Sequence, residues 1–260
     1  MSYRFTPSHR GGSGPALVAV HGFLDTWRTW ELVLPALERR HEVLAPTLPG
    51  HAGGPRLSGA DHGTGALADA LEAAMDEAGF DTAHLVGNSL GGFLVLELAA
   101  RGRASSVVAF APAGSTRAET FSMQADTLDA LAAIAPHVDA LVMTEAGRRQ
   151  ATRLVSERYE HIPRDLIAHL VCAAAACPDA ARLLEAADRE TWTLEPERIT
   201  CPVRIVWGTA DRLLPWPEAA ARFRRELPFA PWDILDGVGH CPQLDVPEIT
   251  AELILGTTAR

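Results

Sequence analysis

Leu85-Val86-Gly87-Asn88-Ser89-Leu90-Gly91-Gly92-Phe93 decides how the rest of the chain is read. It has the form of a buried strand end, a very tight turn and the start of an apolar helix. A serine hydroxyl is a poor nucleophile unless it is presented to a base and held there. A sharp strand-to-helix turn does this by lifting Ser89 off the strand into a strained backbone conformation. Cβ atoms at positions 87 and 91 would collide across that turn, so glycine stands at both. The helix that follows aims its N-terminus at the same point, where free N–H groups and the helix dipole favour developing negative charge. Ser89 is therefore the candidate nucleophile.

Working outward, short apolar runs alternate with helical patterns, the rhythm of a parallel sheet covered by helices. Ala16–Val20 is almost continuously apolar, as a strand buried on both faces should be. Residues 42–45, 83–86, 106–110, 203–207 and 232–235 supply five more strands. Helices are expected over Asp61–Ala78, with Leu67, Leu71 and Met75 on one face, and over Leu90–Arg101, stopped by Gly102. Two more are expected over Pro217–Glu226 and Thr250–Leu255. The rhythm breaks between Ala113 and Thr200, an alanine-rich stretch with helical spacing only, punctuated by Pro136, Pro163 and Pro178. Since the sheet resumes at residue 201, residues 1–112 and 201–260 are expected to form one core and 113–200 a helical cap inserted into it.

Five landmarks occur in order: His21-Gly22-Phe23, Pro49-Gly50-His51, Gly87 to Gly92, Gly208-Thr209-Ala210-Asp211 and Gly237-Val238-Gly239-His240. On these the chain resembles the α/β-hydrolase superfamily, most closely its single-domain bacterial members with a helical cap. The resemblance implies an α/β fold with a mostly parallel sheet, and a triad in the order serine, acid, histidine. His240 is the one histidine after residue 169 and follows the last strand through a glycine-rich loop. It is the candidate base. Asp211, at the end of a strand, is the candidate acid that would hold the imidazole tautomer. Asp236 is the alternative, but lies only four residues before His240; Asp245 suits a helix-cap or surface role.

The backbone N–H groups of Phe23 and Leu90 are the expected oxyanion donors, the first by resemblance to the family's loop and the second as the residue after the nucleophile. His21 and His51 are read as bracing and turn residues, and Trp27 and Trp30 as packing. The implied activity is hydrolysis of a carboxylic ester through an acyl-enzyme. Gly-Asn-Ser-x-Gly-Gly also resembles the elbow of C–C bond hydrolases, which bind an acidic dienol with a cap arginine; Arg148, Arg149, Arg153, Arg158 and Arg164 are the candidates for it. Thioesterase or perhydrolase activity, or a non-enzymatic ligand-binding relative, are the remaining alternatives. Epoxide hydrolases and haloalkane dehalogenases of this type carry aspartate at the elbow, so Ser89 argues against both.

The 260 residues are 47% hydrophobic and 22% charged, enough apolar material for a sizeable core. A formal charge of −10 with no basic run disfavours nucleic acid and anionic membrane, which leaves a small-molecule substrate as the expected partner. No stretch approaches the roughly 18 apolar residues of a membrane span, and the N-terminus has no apolar signal core. The four cysteines show no C-x-x-C pair and are expected to be free thiols in a reducing cytoplasm. No metal ligand set, dinucleotide fingerprint or phosphate loop is present, so no cofactor is expected.

Overall fold

The computed structural model describes residues 3–57, 59, 62–114 and 128–259. The six expected strands all form, and a seventh precedes them. β1 (Ser8–Gly12), β2 (Ala16–Val20), β3 (Glu42–Pro46), β4 (Ala83–Asn88), β5 (Ala104–Phe110), β6 (Val203–Gly208) and β7 (Trp232–Leu235) make one sheet in the order β1-β3-β2-β4-β5-β6-β7. All neighbours are parallel except β1, which runs antiparallel along β3 with Ser8 opposite Pro46. β1 reads Ser-His-Arg-Gly-Gly and sits at the edge with one residue in two exposed, so it lacks the apolar run that marks the others.

Alternation along the central strands divides the core in two. Val18, Val20, Leu85, Val107 and Ile205 face one side, where they meet α1 (Thr64–Ala78) through Leu67, Leu71 and Met75, and α2 (Leu90–Ala100) through Phe93 and Leu94. Leu17, Ala19, Val86, Val108 and Val206 face the other, against Trp30, Leu34, Leu37, Ala251 and Ile254. Each fully buried side chain of this kind stabilises the fold by about 1.5–3 kcal/mol. Two-sided burial explains why these strands read as continuous apolar runs.

The helix expected from Asp61 starts at Thr64; Asp61 itself lies outside the described residues. No local side chain caps it. Instead Glu190, far along the chain, accepts from Thr64 N–H at 2.8 Å and Thr64 Oγ at 2.7 Å, supplying the anion a helix N-terminus favours.

Between β5 and β6 the described residues contain no strand. They form a helical stretch at 128–134, then α3 (Glu145–Thr152), α4 (Arg164–Ala175) and α5 (Ala180–Arg189). Residues 115–127, which include the start expected for the cap, lie outside the described set. Val138, Tyr159, Ile162, Leu166 and Val171 form a third apolar cluster that reaches Cys241 and Leu244, beside the loop carrying His240. After β6 the chain adds α6 (Ala221–Glu226) and α7 (Pro247–Thr258). Among the described residues no single helix is long and apolar enough to cross a membrane.

Candidate active site

Ser89 stands between β4 and α2 with φ 57° and ψ −118°, a conformation that L-residues other than glycine rarely adopt. The strain is held by main-chain bonds: Ser89 N–H donates to Phe110 O at 2.9 Å, and Ser89 O accepts from Phe93 and Ala113. The glycines on either side are required, though for a different reason than a mutual collision. A Cβ on Gly87 would lie 2.1 Å from Gly91 O, whereas one on Gly91 would lie 2.2 Å from Val20 O and 2.6 Å from His21 O. Gly91 thus lets the elbow press against the end of β2, where the His21-Gly22-Phe23 loop begins.

That loop is braced from beneath. The buried His21 ring lies with Nδ1 2.7 Å from Gly22 O, and its Nε2 accepts from Leu48 N–H at 2.9 Å, which assigns the proton to Nδ1. Burial, with a smaller contribution from His51, holds His21 well below the ordinary histidine range, so the ring is neutral. His51 turns Nδ1 onto Pro49 O at 3.0 Å and is lowered to about 4 by burial. Trp30 is fully buried in the core. The N–H groups of Phe23 and Leu90 donate to no other group among the described residues.

His240 and Asp211 come together. His240 Nδ1 lies 2.7 Å from Asp211 Oδ2, with the two side chains 4% and 0% exposed. Asp211 Oδ1 accepts from Leu213 and Leu214 N–H at 2.9 and 2.8 Å, so the turn geometry and the contact to histidine coexist in one carboxylate. Since Asp211 is an acceptor, Nδ1 carries the proton and Nε2 keeps its lone pair. Asp236 is exposed and bonds Thr209 Oγ at 3.1 Å, which removes it as the histidine's partner. Ser89 Oγ makes no hydrogen bond among the described residues, His240 included. Such bonds are often long until substrate binds.

Two further carboxylates hold positions that local sequence did not signal. Asp245 is 2% exposed, not a surface residue. Its Oδ1 accepts from Ser156 Oγ, from Glu157 N–H at 2.7 Å and from Arg158 N–H at 2.9 Å, while Oδ2 accepts from Gly239 N–H at 2.6 Å. It therefore joins the helical insertion to the residue before His240. Asp25 lies in the loop after Phe23 and lines the same cavity as Ser89. Burial raises its carboxyl to about 7, against the opposing pull of bonds from Thr26 N–H and the Thr29 hydroxyl and the proximity of His240. The signal for both residues is long-range: each partner lies in a different element.

Ser89, His240, Phe23 and Leu90 open onto a cavity of about 1,070 Å³. Its far wall comes from the insertion, with Leu131, Ile134, Ile167, Leu170, Val171 and Leu184. Of the five arginines considered for an acidic substrate, Arg153 alone lines it. Arg222 also lines it, but its guanidinium is engaged by Gly114 O at 2.6 Å, Trp192 O at 2.5 Å and Glu226 at 2.9 Å. Cys241 is buried beside His240 with its thiol raised well above the ordinary range by burial. Among the described residues no group of three His, Cys, Asp or Glu side chains is arranged to hold a metal ion.

Comparison with known proteins agrees with this architecture. Residues 17–253 match the family model described as "Alpha/beta hydrolase family". The epoxide hydrolase EphH of Mycobacterium tuberculosis is 33% identical over 195 residues, covering 72% of this chain and 91% of that protein. The pimeloyl-[acyl-carrier protein] methyl ester esterase of Aromatoleum aromaticum is 28% identical over 263 residues, covering 92% and 96%. Among solved structures, a membrane phospholipase A superposes with TM-score 0.78 at 24% identity, covering 97% of this chain and 81% of that one. Sheet order, strained elbow and a family match over most of the sequence lead to one conclusion: the chain belongs to the α/β-hydrolase family.

Proposed function

We propose that this hydrolase is a serine esterase that cleaves carboxylic esters with a mainly apolar acyl or alcohol group. The observation that carries the proposal is the buried His240–Asp211 pair at 2.7 Å, opening with the strained Ser89 onto one cavity. In this reading His240 Nε2 takes the Ser89 proton as Oγ attacks the ester carbonyl. The oxyanion accepts from the Phe23 and Leu90 N–H groups, which have no competing acceptor among the described residues. Collapse expels the alcohol, which receives its proton from His240, and leaves an acyl-enzyme. Water, deprotonated by the same imidazole, attacks the acyl carbonyl and releases the acid. Asp211 holds the tautomer and stabilises the imidazolium throughout.

The residues between β5 and β6 serve in this proposal as a cap whose apolar side chains receive the substrate. The mainly apolar side chains of the described wall favour an uncharged ester, and Arg153 is the residue through which an acidic dienol would have to be held. A fluorophosphonate probe tests the chemistry: wild type should label and Ser89→Ala should not, and equal labelling of both would end the proposal. Nitrophenyl esters of increasing acyl length, a ring-fission dienol, an acyl thioester and a simple epoxide, run side by side, test the substrate class. Turnover of the dienol or the epoxide without any ester would overturn it.

A further inference from the structure

Beneath the elbow lies a line of polar side chains that the reaction above does not use. Asn88, Gln243 and Thr29 are 1%, 0% and 0% exposed, and come from three separate segments. Asn88 Nδ2 lies 2.9 Å from His240 O and 3.2 Å from Phe110 O, so both its protons are spent on main-chain carbonyls. Its Oδ1 accepts from Gln243 Nε2 at 3.2 Å and from the Cys241 thiol at 3.2 Å. The second Gln243 proton goes to Thr29 Oγ at 3.1 Å. Reversing either amide would set acceptor against acceptor, so the partners themselves assign the orientation.

Among the described residues Gln243 Oε1 has no partner. A buried acceptor left unpaired opposes folding, and an apolar side chain of the same size would avoid it. The donors of Gln243 therefore matter more than its acceptor. What they join is specific: the strand end that presents Ser89, the loop that presents His240, and the segment that follows the Phe23 loop and holds Asp25 in the cavity wall. Among the described residues, the bond from Asn88 is the one that fastens the His240 carbonyl.

We propose that Asn88, Gln243 and Thr29 are positioning residues, an amide relay that fixes the His240 main chain against the Ser89 elbow and the segment after the Phe23 loop. The relay rests on the serine-hydrolase reading, since it is the reach of His240 toward Ser89 that it sets. Misplacing a reacting group by about 1 Å lowers a rate by about 10²-fold.

The test compares N88D and Q243M with wild type, using a nitrophenyl ester and a fluorophosphonate titration that counts active sites. N88D keeps the size of the side chain and loses the donors to His240 O and Phe110 O; Q243M keeps the volume and loses the donors to Thr29 and Asn88. Expected is a fall in kcat per titrated site of about 10- to 100-fold with KM within twofold, and a displaced limb in the pH profile of kcat/KM. A merely structural role would lower Tm and the number of active sites, yet leave kcat per site and the pH profile unchanged. That outcome, with kcat per site within threefold of wild type in both variants, overturns the relay. T29V, which removes a single hydroxyl, carries the comparison if either larger change prevents folding, with a three- to tenfold loss expected and none refuting. Failure of the wild type to label would instead sink the triad, so the two failures are distinct.

Discussion

Gly91→Ala places one methyl group where the elbow meets β2. The new Cβ would stand 2.2 Å from Val20 O and 2.6 Å from His21 O, both main-chain atoms that cannot swing aside. A carbon and a carbonyl oxygen need about 3.2 Å, so α2 or the end of β2 must retreat by about 1 Å. Either movement separates the Leu90 N–H from the Phe23 N–H, the two donors proposed for the oxyanion. The overpacking should cost about 1–3 kcal/mol, which at this chain length lowers Tm by about 3–10 °C. The separation should lower kcat by about 10²-fold while KM changes little, because a bound ester makes its full bonds to those donors only at the transition state. Gly65→Ala is the control: its Cβ meets nothing within 4 Å, on the same kind of helix. Nitrophenyl ester kinetics at a temperature well below both melting points would measure the pair. A G91A enzyme with kcat within threefold of wild type would refute the assignment of the oxyanion site.

Asp211→Asn should leave Tm within a few degrees yet lower kcat by about 10⁴-fold, because an amide facing Nδ1 favours the wrong tautomer; steady-state kinetics beside circular dichroism would check both. Asp25 makes stability depend on pH with a definite sign. Its folded pKa of about 7 lies above its unfolded value, so the folded state holds the extra proton and stability falls as pH rises between about 4 and 7. D25N should remove that dependence, so that its Tm gains on wild type by an amount equivalent to at most about 1.4 kcal/mol per pH unit in this window and by no more above it; a constant Tm difference from pH 4 to 8 would contradict this. Asp245→Asn sets a donor against Gly239 N–H or loses three bonds from residues 156–158, and should cost about 1–3 kcal/mol and most of the activity. Thermal unfolding and ester turnover would show whether both fall together.

The candidates Ser89, Asp211 and His240 could be named from sequence because each follows a strand in a glycine-marked turn, and the structure brings His240 and Asp211 together. The central strands were legible for a related reason: burial on both faces leaves apolar runs such as Ala16–Val20 and residues 107–110. β1 escaped notice because an edge strand paired on one side can be Ser-His-Arg-Gly-Gly without penalty. The collision that demands Gly91 was half-read. Its glycine was expected, but the atoms it avoids belong to β2, some seventy residues earlier in the chain. Asn88 occupied a variable position in a turn pattern, and Gln243 and Asp25 carried no pattern at all. Their partners are fixed only when β4, the last loop and the segment after β2 are folded together. Asp245 was misjudged for the same cause, because its four donors come from residues 156–158 and 239.

Arg222 holds the main chain at Gly114, shortly after β5, and at Trp192, shortly after α5, and braces itself over Phe93 and Phe223. A single side chain thus ties together two points that lie on either side of the described helices α3, α4 and α5. Such an arrangement makes the segment exchangeable: a foreign helical cassette grafted between those two carbonyls meets the same clasp and leaves the register of the sheet untouched. A graft must still offer Asp245 a hydroxyl and two main-chain amides, as residues 156–158 do now, and Thr64 a carboxylate, as Glu190 does. Chimeras built to that rule would change the wall of the cavity while leaving Ser89, Asp211 and His240 in place.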